Sequence, residues 1–104
     1  MRTALLLTAA LLTASIVHVQ AEPVGKRVTA NGCVSSGVEF GCLIVRDRKT
    51  NQPYSVGSAS PRPDPARGLM VRLTGIVSAS LGICMEGPRL EKIKWKYTKT
   101  KCPK

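Results

Sequence analysis

From residue 22 onward, apolar and polar residues alternate along the chain more often than they follow a helical spacing. The clearest run is residues 89–99, where Ile93, Trp95 and Tyr97 alternate with Lys92, Lys94 and Lys96. Successive side chains of a strand point to opposite faces, so this run predicts one buried face and one carrying a lysine stripe. Residues 26–34 alternate Val28 and Ala30 with Arg27 and Thr29 and predict a first strand, closed by a Ser35-Ser36-Gly37 turn. A second strand is expected over residues 40–48 around Leu43-Ile44-Val45. A polar turn at residues 47–52 then leads to a short third strand opening at Pro53. Residues 57–68 carry Pro61, Pro63 and Pro65 at alternate positions, a spacing unsuited to helix or sheet pairing, and predict a long loop. Residues 69–77 alternate Val71 and Leu73 with Arg72 and Thr74 and predict a fourth strand, in which Gly75 marks a bulge or bend. A Ser78-to-Gly82 connection and a Gly87-Pro88 turn precede the last strand. The pattern is all-β, five strands with no internal repeat.

The first 21 residues have a different character. Met1-Arg2-Thr3 is followed by an apolar run over residues 4–12, and Val19-Gln20-Ala21 places small or compact residues before Glu22-Pro23. This is the order of a cleavable secretory signal, expected at 1–21. A membrane anchor needs about 20 predominantly apolar residues, whereas Thr8, Thr13, Ser15 and His18 interrupt this run. Residues 22–104 are then expected to form a single domain, secreted or periplasmic and not membrane-spanning. So short a domain buries a limited fraction of its surface, and small exported domains commonly compensate with disulfides.

All four cysteines, Cys33, Cys42, Cys84 and Cys102, lie in that domain. Two disulfides are expected, and four cysteines allow three pairings among which sequence does not choose. Cys33 and Cys42 flank the expected first hairpin, which favours that pair and leaves Cys84 with Cys102. A four-cysteine zinc site would normally supply a close Cys-x-x-Cys pair, which this chain lacks.

Five strands with a long loop between the third and fourth is the element order of an OB-fold barrel. The segments Gly32-Cys33-Val34, Gly41-Cys42-Leu43, Val71-Arg72-Leu73-Thr74-Gly75-Ile76-Val77 and Ile93-Lys94-Trp95 give the chain a resemblance to small exported bacterial OB-fold-like proteins. It departs from the fuller pattern in its weak third strand and in having no helix before the fourth. The resemblance implies a five-stranded OB-like barrel, held by disulfides, that binds and has no defined activity.

Chemistry narrows the function further. The single histidine, His18, falls in the signal, so the domain lacks the commonest general base and neutral metal ligand. With the cysteines oxidised, a thiolate nucleophile is not expected either. The acids Glu22, Glu39, Asp47, Asp64, Glu86 and Glu91 show no spacing that suggests a catalytic pair. No phosphate-cradling glycine loop or calcium loop is present. The expectation is a non-catalytic module without a cofactor.

Charge supplies the positive signal. The chain carries +10, and +9 once Arg2 leaves with the signal. A field of this size attracts anions. Its densest stretch holds Arg89, Lys92, Lys94, Lys96, Lys99 and Lys101, expected to bind an acidic glycan, lipopolysaccharide, an anionic lipid headgroup or, less readily, nucleic acid. The competing reading of this stretch is a solvated lysine face that blocks edge-to-edge pairing. Arg46, Arg48 and Lys49 form a second cluster, expected to be a polar hairpin tip. Of the aromatics, Trp95 and Tyr97 are expected in the core, leaving Phe40 and Tyr54 as stacking candidates. A function of another class is a protein-interaction or inhibitor module using the proline-rich loop 59–67. A third, a cationic membrane-active protein, fits the charge but lacks an amphipathic helix.

Overall fold

The structure, a computed structural model, describes residues 22–80 and 82–103 of the chain. The expected signal at 1–21 lies outside the described residues. Five strands form one sheet: β1 (Arg27–Ser36), β2 (Leu43–Asp47), β3 (Pro53–Ser55), β4 (Leu69–Val77) and β5 (Leu90–Lys101). Their order is β3-β2-β1-β4-β5 and every neighbouring pair is antiparallel. The described residues contain no α-helix, and a 3-10 turn (Pro65–Arg67) stands before β4. The domain is all-β, as the alternation predicts.

The alternation also selects the core. Val28, Ala30 and Val34 of β1, Leu43 and Val45 of β2, Tyr54 of β3, and Val71, Leu73 and Val77 of β4 are buried together with Val56 and Leu90. β1 organises the sheet because it is paired on both sides, residues 27–33 with β4 and residues 32–36 with β2. At the changeover the chains approach closely: a Cβ on Gly32 would collide with the Arg46 carbonyl oxygen. Only glycine fits there, because the β2 backbone closes on β1 where β1 changes partner.

β3 and β5 are the edges of the sheet. Ser55 N–H donates to the Pro88 carbonyl at 2.9 Å, and one parallel bridge joins Ser55 to Arg89. The sheet therefore curls until its edges touch, but a single bridge does not make a ladder that closes it.

Several expected boundaries move. β1 continues through Ser36, because Ser35 and Ser36 pair with Ile44 and Leu43 instead of turning. The turn comes later, closed by Gly37 N–H donating to Cys42 O and Cys42 N–H donating to Glu39 O. Phe40 sits at its tip and is fully exposed, outside β2. β4 matches its expected range, and β5 extends two residues past its expected end.

The disulfides are Cys33–Cys102 and Cys42–Cys84, with Cα atoms 5.9 and 5.7 Å apart. This corrects the favoured Cys33–Cys42 and Cys84–Cys102 pairing. In the β1–β2 ladder Cys33 stands opposite Arg46, and Cys42 lies beyond the end of the ladder at Leu43. On its other side Cys33 is opposite Met70, next to the Leu69–Lys101 pair that delivers Cys102. The first bridge thus joins β1 to the end of β5, and the second joins the β1–β2 loop to the β4–β5 connection. Two such bridges suit an oxidising environment. No described helix is long and apolar enough to cross a membrane.

Candidate anion-binding face

Partners in a ladder point to the same side of the sheet, so register decides which charges meet. On the outer side, Asn31 of β1 is opposite Arg72 of β4, which is opposite Lys96 of β5. The next row is Thr29, Thr74 and Lys94. Arg27 follows, in register with Ile76, and here β5 bulges: Thr74 pairs with Lys94 while Ile76 pairs with Glu91. Lys92 and Ile93 therefore share the place opposite Gly75. A Cβ on Gly75 would lie 3.2 Å from the Leu90 Cβ and 3.4 Å from the Glu91 carbonyl oxygen, so the glycine lets β5 settle onto β4. The bulge expected at Gly75 is present, with its extra residue in β5.

Two shallow hollows lie on this surface. Arg27, Lys92, Lys94 and Thr74 line one of about 190 Å³. Arg72, Lys94, Lys96 and Thr74 line part of its neighbour, of about 250 Å³. None of these five cations makes a side-chain hydrogen bond or ion pair among the described residues. Other cations do: Lys26 pairs with Glu22 at 2.8 Å, Arg46 donates to Asn51 O and Arg62 donates to Gly41 O. Arg67 lies over the Tyr97 ring, 4.7 Å from its centroid.

The acids are spent elsewhere. Glu22 takes Lys26 and the Tyr54 hydroxyl, and the Lys26 hydrogen bond holds its carboxyl below the usual range. Burial pushes the Asp47 carboxyl up, but donation from Asn31 N–H, Thr50 N–H and the Thr50 hydroxyl outweighs it and leaves it lowered. Asp64 caps the 3-10 turn by accepting from Ala66 N–H, and Glu86 accepts from Val38 N–H. Four of the six carboxylates thus fasten loops. Glu91, exposed at the start of β5, pairs with Ile76 and so stands in the Arg27 row of the same outer side. No three described acidic, cysteine or histidine residues are grouped as metal ligands would be.

The sequence stripe is therefore divided. Lys92, Lys94 and Lys96 share the outer face as the alternation predicts. Arg89 stands away from them, beside Ser55, with its guanidinium donating to the Ser80 hydroxyl at 3.3 Å. Lys99 and Lys101 are exposed beyond a second irregularity in the β4–β5 register. Arg27, Arg72 and Thr74 complete the face, and the composition of the last strand gives no sign of them. The alternation of Arg72 with Val71 and Leu73 does place it outward, but its meeting with Lys96 depends on register.

The opposite face of β5 is partly covered, and an open hollow of about 510 Å³ remains beside the loop, lined in part by Ser60, Pro61, Ile93, Trp95 and Tyr97. Trp95 Nε1–H donates to Pro61 O at 2.7 Å, and the Tyr97 hydroxyl accepts from Asp64 N–H at 2.8 Å. The two rings meet edge to face at 4.8 Å. Both pack partly buried against the core, with the proline-rich loop fastened across them. Of the two stacking candidates, Tyr54 is buried, and Phe40 projects from a loop away from the basic rows. No family model matches this chain, and no similar curated protein or solved structure was found.

Proposed function

We propose that this chain is an exported, secreted or periplasmic, non-catalytic binding domain whose outer β1–β4–β5 face binds an anionic ligand. Its scaffold is a small OB-like barrel, a reading supported by the strand order and by the parallel bridge between the edge strands. The observation that carries the functional reading is Arg72 opposite Lys96 across the β4–β5 ladder, with no carboxylate engaged by either. Like charges directly opposite one another destabilise a sheet. Glu91 shares only the Arg27 row at one end of this side, so the Lys94 and Arg72–Lys96 rows face no acid in register and keep a local field available for an anion.

Acidic or sulfated glycans and anionic lipid headgroups fit the face better than single-stranded nucleic acid. Nonspecific binding of single strands draws on aromatic platforms for the bases; the outer rows offer Thr29, Asn31 and Thr74, and Trp95, which borders the Arg72–Lys96 hollow, is engaged through its indole N–H by Pro61. The test measures binding of the disulfide-bonded protein to a heparin-like glycan, lipopolysaccharide, anionic vesicles and single-stranded DNA at about 50 and 200 mM salt, where charge-driven binding falls steeply. Replacing Arg72, Lys94 and Lys96 together by glutamine should cut affinity by about tenfold or more, a loss of at least about 1.4 kcal/mol, with the melting temperature held or raised. Unchanged affinity in that variant would refute the reading.

A further inference from the structure

Lys92 occupies a backbone conformation that lysine does not favour. Its φ is +51°, in the left-handed region, at the bulge where two residues of β5 oppose one of β4. In that region a Cβ crowds the following carbonyl, and bulges of this kind ordinarily place glycine at the left-handed position. Strained residues persist where the surrounding structure holds them, and they concentrate at functional sites. At Lys92 the side chain that causes the strain also lines the 190 Å³ hollow, alongside Lys94, Arg27 and Thr74.

We propose that this hollow is a subsite for one sulfate or phosphate ester group carried on a sugar. The inference rests on the reading of the outer face as anion-binding and sharpens it to one group at one place. Arg27 comes from β1, Thr74 from β4, and Lys92 and Lys94 from β5, so the donors approach from three strands. A planar carboxylate presents two oxygens in one plane. An esterified sulfate or phosphate presents three peripheral oxygens on a tetrahedral centre, and so can engage donors that converge from several directions. Thr29 stands opposite Thr74 on the same side of the sheet and offers a hydroxyl suited to hydrogen bonding with a sugar. The Arg72–Lys96 row, about 7 Å further along the strands, would hold a second acidic group of the same chain.

The experiment compares the disulfide-bonded wild type with Lys92→Gly, Lys92→Arg and the double variant Arg72→Gln/Lys96→Gln. Three probes are used: a sulfated oligosaccharide, the same oligosaccharide with its sulfates removed and carboxylates kept, and a bisphosphorylated glucosamine disaccharide. The wild type should bind at least one esterified probe about tenfold more tightly than the desulfated one. Whichever esterified probe is preferred identifies the source of the oxyanion. Lys92→Gly should raise the melting temperature, because it relaxes the backbone, yet lower affinity for the esterified probe by about tenfold. Its affinity for the desulfated probe should be unchanged, and Lys92→Arg should retain wild-type binding. If Lys92→Gly raises the melting temperature but binds as the wild type does, the subsite is refuted. Should Arg72→Gln/Lys96→Gln then still lose binding, the broader reading survives without it. Absence of binding by the wild type to every probe overturns both.

Discussion

Tyr54 is buried on β3 with its hydroxyl donating to the Glu22 carboxylate at 3.2 Å. Burial, and after it the negative charge of Glu22, pushes the phenol up to about 12 from 10.0. A raised value favours the protonated form in the fold, so this contact stabilises fully below the ordinary phenol value and is lost as pH rises toward 12. An alkaline titration followed by tyrosinate absorbance should therefore show a late step. Glu22→Gln should move that step down without returning it to 10, since burial remains; an unmoved step would exclude Glu22 as a cause. Asp47 has the opposite sign. Its carboxyl is lowered by the donors of Asn31 and Thr50, so its contribution is present above the usual carboxylate range and fades as pH falls through the lowered value. Asp47→Asn is expected to cost about 1–2 kcal/mol near neutrality, typical of hydrogen bonds to a partly exposed charged group. It should also flatten the acid limb of the stability profile, as measured by denaturant unfolding across pH. An acid limb identical to that of the wild type would show that Asp47 does not hold its turn.

At the scale of the element, β5 behaves as an edge strand with a strap. Ile93, Trp95 and Tyr97 reach the core but stay partly buried, and the loop over residues 57–68 is fastened to Trp95 through Pro61 and to Tyr97 through Asp64. Trp95→Phe keeps a large ring and removes the donor to Pro61, so it should cost about 1 kcal/mol and make the loop more open to limited proteolysis. Unaltered cleavage would mean that the strap is held without the indole. The proline spacing announces a loop but not its attachment, because the partner is a strand far along the chain. The same limit explains what the sequence reveals of the binding face. Lys92, Lys94 and Lys96 are legible because alternation is local and period two leaves one face outward. Arg27 and Arg72 join them through pairings between distant strands, and no local pattern encodes those. Ser35 and Ser36 illustrate the converse: small polar residues read as a turn, yet the ladder with Leu43 and Ile44 carries them into β1. Phe40, a strand-favouring aromatic, is instead held out on a loop closed by backbone hydrogen bonds and a disulfide.

Over the whole molecule, the two disulfides link parts of the chain that the strand order leaves apart. Cys33–Cys102 spans 69 positions and Cys42–Cys84 spans 42, whereas the hairpin pairing favoured from sequence would have closed much shorter loops. Cross-linking removes more freedom from the unfolded chain when the closed loop is longer, and loops of these sizes correspond to about 4 kcal/mol each on a chain-entropy basis. Two such terms rival the whole net stability of a domain this small, about 5–10 kcal/mol. The bridges also differ in what they secure. Cys33–Cys102 fixes the far end of β5 against β1, on the outer side next to the Asn31–Arg72–Lys96 row. Cys42–Cys84 ties two loops whose residues Val38, Phe40, Ile83 and Met85 are largely exposed and contribute little burial of their own. Replacing Cys42 and Cys84 by alanine should therefore lower the melting temperature, loosen those loops and spare binding to the outer face. Replacing Cys33 and Cys102 should weaken both stability and binding, and losing all four should leave the chain unfolded under ordinary conditions. Circular dichroism melts and the glycan-binding assay on the three variants test this division. Equal loss of binding from either single bridge would show that the face depends on global stability and not on where β5 is anchored.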